Sequence, residues 1–313
     1  MPGSVVDQPV RDAPIAAAPV EPRTGPVDGE APPGPEAVPA IPLMPRTTAD
    51  ILDGGFAVIK ARPARIVGLT AAFVVPLQLV AAYIQRDYSG GVPIADILSD
   101  DPTVFNEQAN GSQGGELAVQ IAVVILSTFA LVCVAAGLAH LVTQWMMGRD
   151  PKARELFGVI GRRSWPLLVT FVVVKVAELG GAAACYVGLP FVMALFVPVA
   201  PIVAVEGLGP FASLGRSTRL TRGRYWPTLG IALLMGLTSW LLSTALSALP
   251  AFLAGWVGLE RGWPILAVGE IAAEVIVVPF VAAATVLLYL DLRVRTEGLD
   301  IEMAAGRALD RPA

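Results

Sequence analysis

Charge is scarce in this chain. Asp, Glu, Lys and Arg together make up 15% of its 313 residues, and there is one histidine. With 55% apolar residues and a mean hydropathy of +0.65, the composition excludes an ordinary soluble globular domain. The net charge is only -4, and the excess acid sits in residues 1–45, where Asp7, Asp12, Glu21, Asp28, Glu30 and Glu36 face Arg11 and Arg23. The rest of the chain is balanced, so it lacks the concentrated positive field that a nucleic-acid partner requires. Two cysteines, Cys133 and Cys185, are too few and too far apart for a disulfide framework or a cysteine metal site, and each reads as a small apolar packing residue. A Walker lysine loop, His-Glu-x-x-His, Gly-x-Ser-x-Gly and CxxC are all missing. No catalytic, cofactor-binding or metal-binding set is therefore expected, and enzyme is the least favoured class.

What the chain has in quantity is long apolar runs. About 20 residues of helix cross a 30 Å hydrocarbon core, and runs of that order lie near 66–84, 118–142, 166–187, 189–205, 228–249 and 264–290. The expectation is an all-α polytopic membrane protein with six transmembrane helices. The fourth run is the weakest, because it is short and holds Pro198 and Pro201. Residues 1–45 carry 12 of the 27 prolines and no aromatic residue, which predicts a disordered tail. The membrane domain is placed at 46–303, with a short C-terminal tail over 304–313. No basic start followed by an apolar core marks a signal peptide, so the first span is expected to direct its own insertion.

Lys and Arg outside the spans give the orientation. Seventeen fall on one side: Arg46, Lys60, Arg62 and Arg65 before the first span, five between the second and third, Arg216, Arg219, Arg222 and Arg224 between the fourth and fifth, and four after the sixth. The opposite loops hold Arg86 and Arg261, and the loop over 85–117 is acidic. Both termini are thus expected in the cytoplasm, with the chain in the plasma membrane. Trp145, Trp165 and Trp226 at the inner boundary and Trp256 and Trp263 at the outer agree with that placement.

Before each odd-numbered span stands an amphipathic stretch, then Arg or Lys, then proline: Lys60-Ala61-Arg62-Pro63, Arg162-Arg163 to Pro166, and Gly223-Arg224 to Pro227. This predicts three units, each an interfacial helix followed by a helical hairpin. In the first, Leu52, Phe56 and Ile59 share a face, and Thr47 with Asp50 has the spacing of a capping box.

Three strings carry a family resemblance. Ile51-Leu52-Asp53-Gly54-Gly55-Phe56, Pro201 to Gly207 with Gly209-Pro210 and Arg216-Ser217, and Tyr289 to Asp300 resemble actinobacterial membrane proteins related to the membrane domain of glycerophosphoryl diester phosphodiesterases. The string Asp-Leu-Arg-x-Arg-x-Glu-Gly-Leu-Asp is the most specific part. The resemblance implies a fold, a membrane location and a habit of working beside another protein. It implies no activity, since the phosphodiesterase chemistry belongs to a separate domain rich in histidine and metal-binding carboxylates.

Four ionisable residues fall inside the apolar runs: Lys175 and Glu178 in the third, Glu270 and Glu274 in the sixth. Each costs at least ~2.5 kcal/mol at mid-bilayer, so a partner or a function is expected. The i, i+3 and i, i+4 spacings put each pair on one helix face, which allows either a cation- or proton-linked path between the third and sixth spans or an ordinary interhelical tie. His140 and Gln144 read as interfacial hydrogen-bonding residues. Arg216, Arg219, Arg222 and Arg224 are candidates for anionic-lipid contact, at about 1 kcal/mol each near an anionic surface. The leading function is a non-catalytic scaffold or accessory subunit whose partners are the lipid bilayer, anionic lipid and another membrane or cytoplasmic protein. The alternative is a small transporter or permease component using Lys175, Glu178, Glu270 and Glu274.

Overall fold

The computed structural model describes residues 46–85, 113–183, 188–257, 259–299 and 301. The Pro-rich tail, most of the acidic loop over 85–117, Cys185 and the C-terminal tail over 304–313 lie outside the described residues. Within them the regular structure is entirely α-helical: α1 (Thr48–Ala61), α2 (Pro63–Gln85), α3 (Gln113–Met146), α4 (Ala153–Arg162), α5 (Ser164–Ala183), α6 (Gly188–Phe196), α7 (Val199–Val205), α8 (Pro210–Arg222), α9 (Tyr225–Val257) and α10 (Leu259–Glu297). Six segments are long and apolar enough to cross a membrane: Pro63–Ile84, Leu117–Met146, Ser164–Ala183, Gly188–Val205, Tyr225–Val257 and Gly262–Glu297. The chain is an all-α, multi-span membrane protein.

The amphipathic helices α1, α4 and α8 precede α2, α5 and α9, matching the three repeated units. The α1 capping box forms, with the Asp50 amide donating to Thr47 Oγ1 at 3.2 Å and the Thr47 amide to Asp50 Oδ2 at 2.8 Å. Its buried face is Ile51, Gly55 and Val58 rather than Leu52, Phe56 and Ile59. The rotation follows from Gly54 and Gly55, which let α10 approach closely at Leu287 and Phe280. Phe56 then stacks on Phe280 from the side, with ring centroids 4.4 Å apart, while 40% of its surface stays exposed. In α4, Leu156 and Ile160 turn inward and Phe157 meets Phe73 of α2.

The fourth apolar segment is broken. A turn at Val197–Pro198 divides it into α6 and α7, as the missing proline N–H dictates. The break leaves the Leu195 carbonyl to accept a hydrogen bond from Ser217 of α8 at 2.5 Å.

The last helix is the centre of the bundle. Two thirds (67%) of its apolar window is buried, against 17% for α9 and 22% for α5, so those two offer most of their surface to lipid. Between helices in a bilayer the attraction is close packing rather than water exclusion, and small side chains permit it. Ala282, Ala283 and Ala284 are fully buried, followed by Val286, Leu287, Leu288 and Tyr289 at 1% exposure or less. Helices α1, α2, α3, α7 and α9 pack around this stretch. Cys133 lies buried in the same core, as an apolar packing residue.

Candidate functional site

Two groups of charged residues stand out, one inside the apolar segments and one at the Arg-rich end of the bundle. Inside, Lys175 Nζ pairs with Glu178 Oε2 at 2.7 Å along α5 and lies 5.6 Å from the centre of the Phe171 ring. Both side chains border a cavity of about 280 Å³ between α3, α5, α6, α7, α9 and α10, whose other walls include Leu131, Val132, Phe196 and Met235. Glu270 and Glu274 are elsewhere. Glu274 lies against Ser127 of α3 and Gln78 of α2, with Glu270 one turn away, and Gln78 Nε2 donates to Ser127 Oγ at 2.9 Å. The four residues therefore form two local groups. Among the described residues no ion pair joins Lys175 to either acid of α10, and neither acid borders the Lys175 cavity.

At the Arg-rich end two of the three resembling strings meet, although more than 70 residues separate them in the chain. Glu206, just after α7, accepts from Arg216 Nε at 2.8 Å and from the Tyr289 hydroxyl at 3.0 Å. Arg216 also reaches across to Glu297, donating from Nη2 to Oε2 at 2.8 Å, and Arg293 shares that carboxylate at 3.1 Å. The hydrogen bond to Glu297 is the chief reason that the Arg216 guanidinium is held above its usual pKa, outweighing burial. On the other flank Asp291 accepts from the Arg46 amide at 2.7 Å and from Arg295 Nε at 2.8 Å, and Arg295 Nη2 returns to the Arg46 carbonyl at 2.8 Å. The stretch before α1 is thus tied to the end of α10.

A third knot joins α2 to the end of α3. Asp150 accepts from Arg65 at 2.6 Å, from Arg62 at 3.4 Å and from the Trp145 indole at 3.1 Å. Burial works against its ionisation, but the Trp145 and Arg65 hydrogen bonds and the two positive charges outweigh it and hold the carboxyl below its ordinary range. Gly207 makes one more tie possible. Its φ of 68° is left-handed, and the Arg163 guanidinium lies where a Cβ would be while donating to the Gly207 carbonyl at 3.0 Å.

The four arginines of α8 and its exit therefore separate into kinds. Arg216 is 19% exposed and engaged with two carboxylates. Arg219 and Arg222 are exposed, Arg224 is half-buried, and none of these three makes an ion pair among the described residues. The structural partners Glu206, Tyr289, Asp291 and Glu297 were not singled out as site residues from sequence; their only signal was membership of the resembling strings. Among the described residues no group of three or more His, Cys, Asp or Glu could hold a metal ion. His140 and Gln144 border a separate cavity with Arg162 and Arg163 near the end of α3.

Comparisons with protein-family models, with curated proteins and with solved structures find no match.

Proposed function

We propose that this protein is a non-catalytic scaffold or accessory subunit of a membrane complex, embedded in the plasma membrane with both termini in the cytoplasm. The observation that carries the reading is the division of labour among the cations. Arg216, Arg293 and Arg295 tie α8 and the stretch before α1 to the end of α10, while Arg219 and Arg222 stand out from that surface toward an anionic lipid or an acidic partner. The likeness to membrane proteins related to the glycerophosphoryl diester phosphodiesterase membrane domain supports the same reading, since two of its three strings build this surface.

Liposome flotation of the reconstituted or detergent-exchanged chain tests it. Replacing Arg219 and Arg222 with Gln should reduce the preference for vesicles containing phosphatidylglycerol over pure phosphatidylcholine by several-fold. Equal partitioning of variant and parent would remove lipid as the partner of this surface.

A transporter or permease component using Lys175, Glu178, Glu270 and Glu274 is the second reading, favoured by the cavity beside Lys175. The closed Lys175–Glu178 pair and its separation from the α10 acids weigh against a continuous polar path.

A further inference from the structure

Between the start of α1, the start of α9 and the end of α10 lies a second kind of cavity. Its volume is about 290 Å³, and its walls include Arg46, Arg224, Arg295, Thr47, Thr48 and Thr228. Asp291 is the acid in its wall, and it is held by Arg295 and by the Arg46 amide; Asp50 is the other carboxylate near Arg46. Three arginines and one acidic residue thus line the cavity. Arg224 has no ion pair among the described residues. The first turn of α1, a helix of 14 residues, opens beside the same space and adds the positive end of its dipole. Independently of that, Thr228 is 1% exposed and its hydroxyl has no hydrogen-bond partner, an arrangement that is costly unless something arrives to satisfy it.

We propose that this cavity binds a phosphate group, in the form of an anionic phospholipid headgroup or a free phosphate, through Arg46, Arg224, Arg295 and the Thr228 hydroxyl. The inference rests on the reading that the Arg-rich end meets an anionic surface, and gives that surface one specific seat. The test is the thermal midpoint of the full chain in neutral detergent, with added phosphatidylglycerol in one arm and inorganic phosphate in another. Phosphatidylglycerol should raise the midpoint, Arg224→Gln and Thr228→Val should each abolish that rise, and Arg219→Gln should keep it. A rise with inorganic phosphate alone identifies free phosphate as sufficient. No rise with either, or an undiminished rise in both cavity variants, overturns the site. The flotation experiment reads the outer arginines and would be unaffected, so the two failures are distinguishable.

A separate set of contacts bears on how the chain lies in the membrane. The Tyr225 hydroxyl, at the start of α9, donates to the Phe191 carbonyl in α6 at 3.2 Å, and Phe191 stacks on Tyr225 at 6.0 Å and meets Trp226 edge-to-face at 6.1 Å. Tyr225 follows Arg224, which borders the cavity with Asp291 and Arg295, so Phe191 sits at the Arg-rich end. Glu206 also sits there, bonded to Tyr289. Fifteen residues of straight helix would separate these two by about 22 Å. A turn at Val197–Pro198 interrupts the segment between them. Helix α5 forms the other arm of this segment: Arg163 before it reaches Gly207, and Gly181 near its end packs on Gly188, where a Cβ on Gly188 would come within 2.8 Å of the Gly181 carbonyl oxygen. Trp165, Leu168, Val172, Val176 and Leu179 form one exposed apolar stripe along α5.

We infer that α5, α6 and α7 form a re-entrant unit that enters and leaves the bilayer by the Arg-rich face, while α2, α3, α9 and α10 cross it. Single cysteines in a Cys133→Ala, Cys185→Ala background test this in membranes with an impermeant maleimide. Phe191→Cys should label from the side that labels Arg224→Cys, not from the side that labels Val257→Cys at the far end of α9. Where lipid shields position 191 from both sides, a short bismaleimide decides: Phe191→Cys with Tyr225→Cys should crosslink, seen as a shift in gel mobility. Labelling with Val257→Cys, or failure to crosslink, overturns the inference.

Discussion

Removing the Arg216 guanidinium should be among the most damaging single changes at the Arg-rich end. It donates to Glu206 and Glu297 at 2.8 Å each, and the three side chains are 19%, 16% and 28% exposed. Hydrogen bonds to charged groups contribute about 1.5–3 kcal/mol each, and partial exposure discounts that, so Arg216→Gln should cost about 2–4 kcal/mol. At roughly 2–4 °C per kcal/mol for a chain of this order of size, the thermal midpoint in detergent should fall by on the order of 5–10 °C. Arg216→Lys should fall nearly as far, because an ammonium lacks the fork that spans two carboxylates. Adding Glu206→Gln to Arg216→Gln should recover part of the loss, since much of the cost lies in leaving a half-buried carboxylate unpaired. The assay is the midpoint of thermal aggregation followed by gel filtration at fixed scan rate. A midpoint for Arg216→Gln within about 1 °C of the parent would refute the reasoning, because such a result assigns these hydrogen bonds no net worth.

Asp150 supplies a pH-dependent test. Its folded pKa is depressed, so its contribution is present at neutral pH and is lost as pH falls through that depressed value, below the ordinary carboxyl value of about 4. The gap in thermal midpoint between the parent and Asp150→Asn should therefore be full at pH 7 and shrink on acidification; a gap that stays constant across that range contradicts the assignment. For the buried pair, Lys175→Met alone should lower the midpoint more than Lys175→Met with Glu178→Gln, because the single change strands a carboxylate beside an apolar cavity. Proton flux in liposomes that vanishes in the double variant would instead favour the transporter reading.

Much of this protein is settled locally, and such features were legible in the order of residues. A helix closes its hydrogen bonds within itself, so apolar runs of sufficient length marked all six candidate spans without knowledge of any partner. Thr47 and Asp50, three residues apart, specified their own capping box, and Pro198 announced the break between α6 and α7. Orientation of a helix about its axis is not local in this way. The α1 face turned to Ile51, Gly55 and Val58 because α10 presents Phe280 and Leu287 there. Likewise Lys175 could have met Glu274 across helices, but it settled on Glu178 within its own, while Glu274 met Gln78 and Ser127.

Composition and spacing by themselves determined a helical membrane protein with an Arg-rich side and three amphipathic lead-in helices, because hydropathy, caps and charge bias each act over a few turns of chain. Only the tertiary structure decided that the last helix is the core, that Arg216 is tied to two carboxylates while Arg219 and Arg222 remain exposed, and that Arg46, Arg224 and Arg295 surround one cavity. Those outcomes depend on which of several equally spaced partners comes within 3 Å once the helices pack, and distance between segments far apart in the chain is a property of the fold alone.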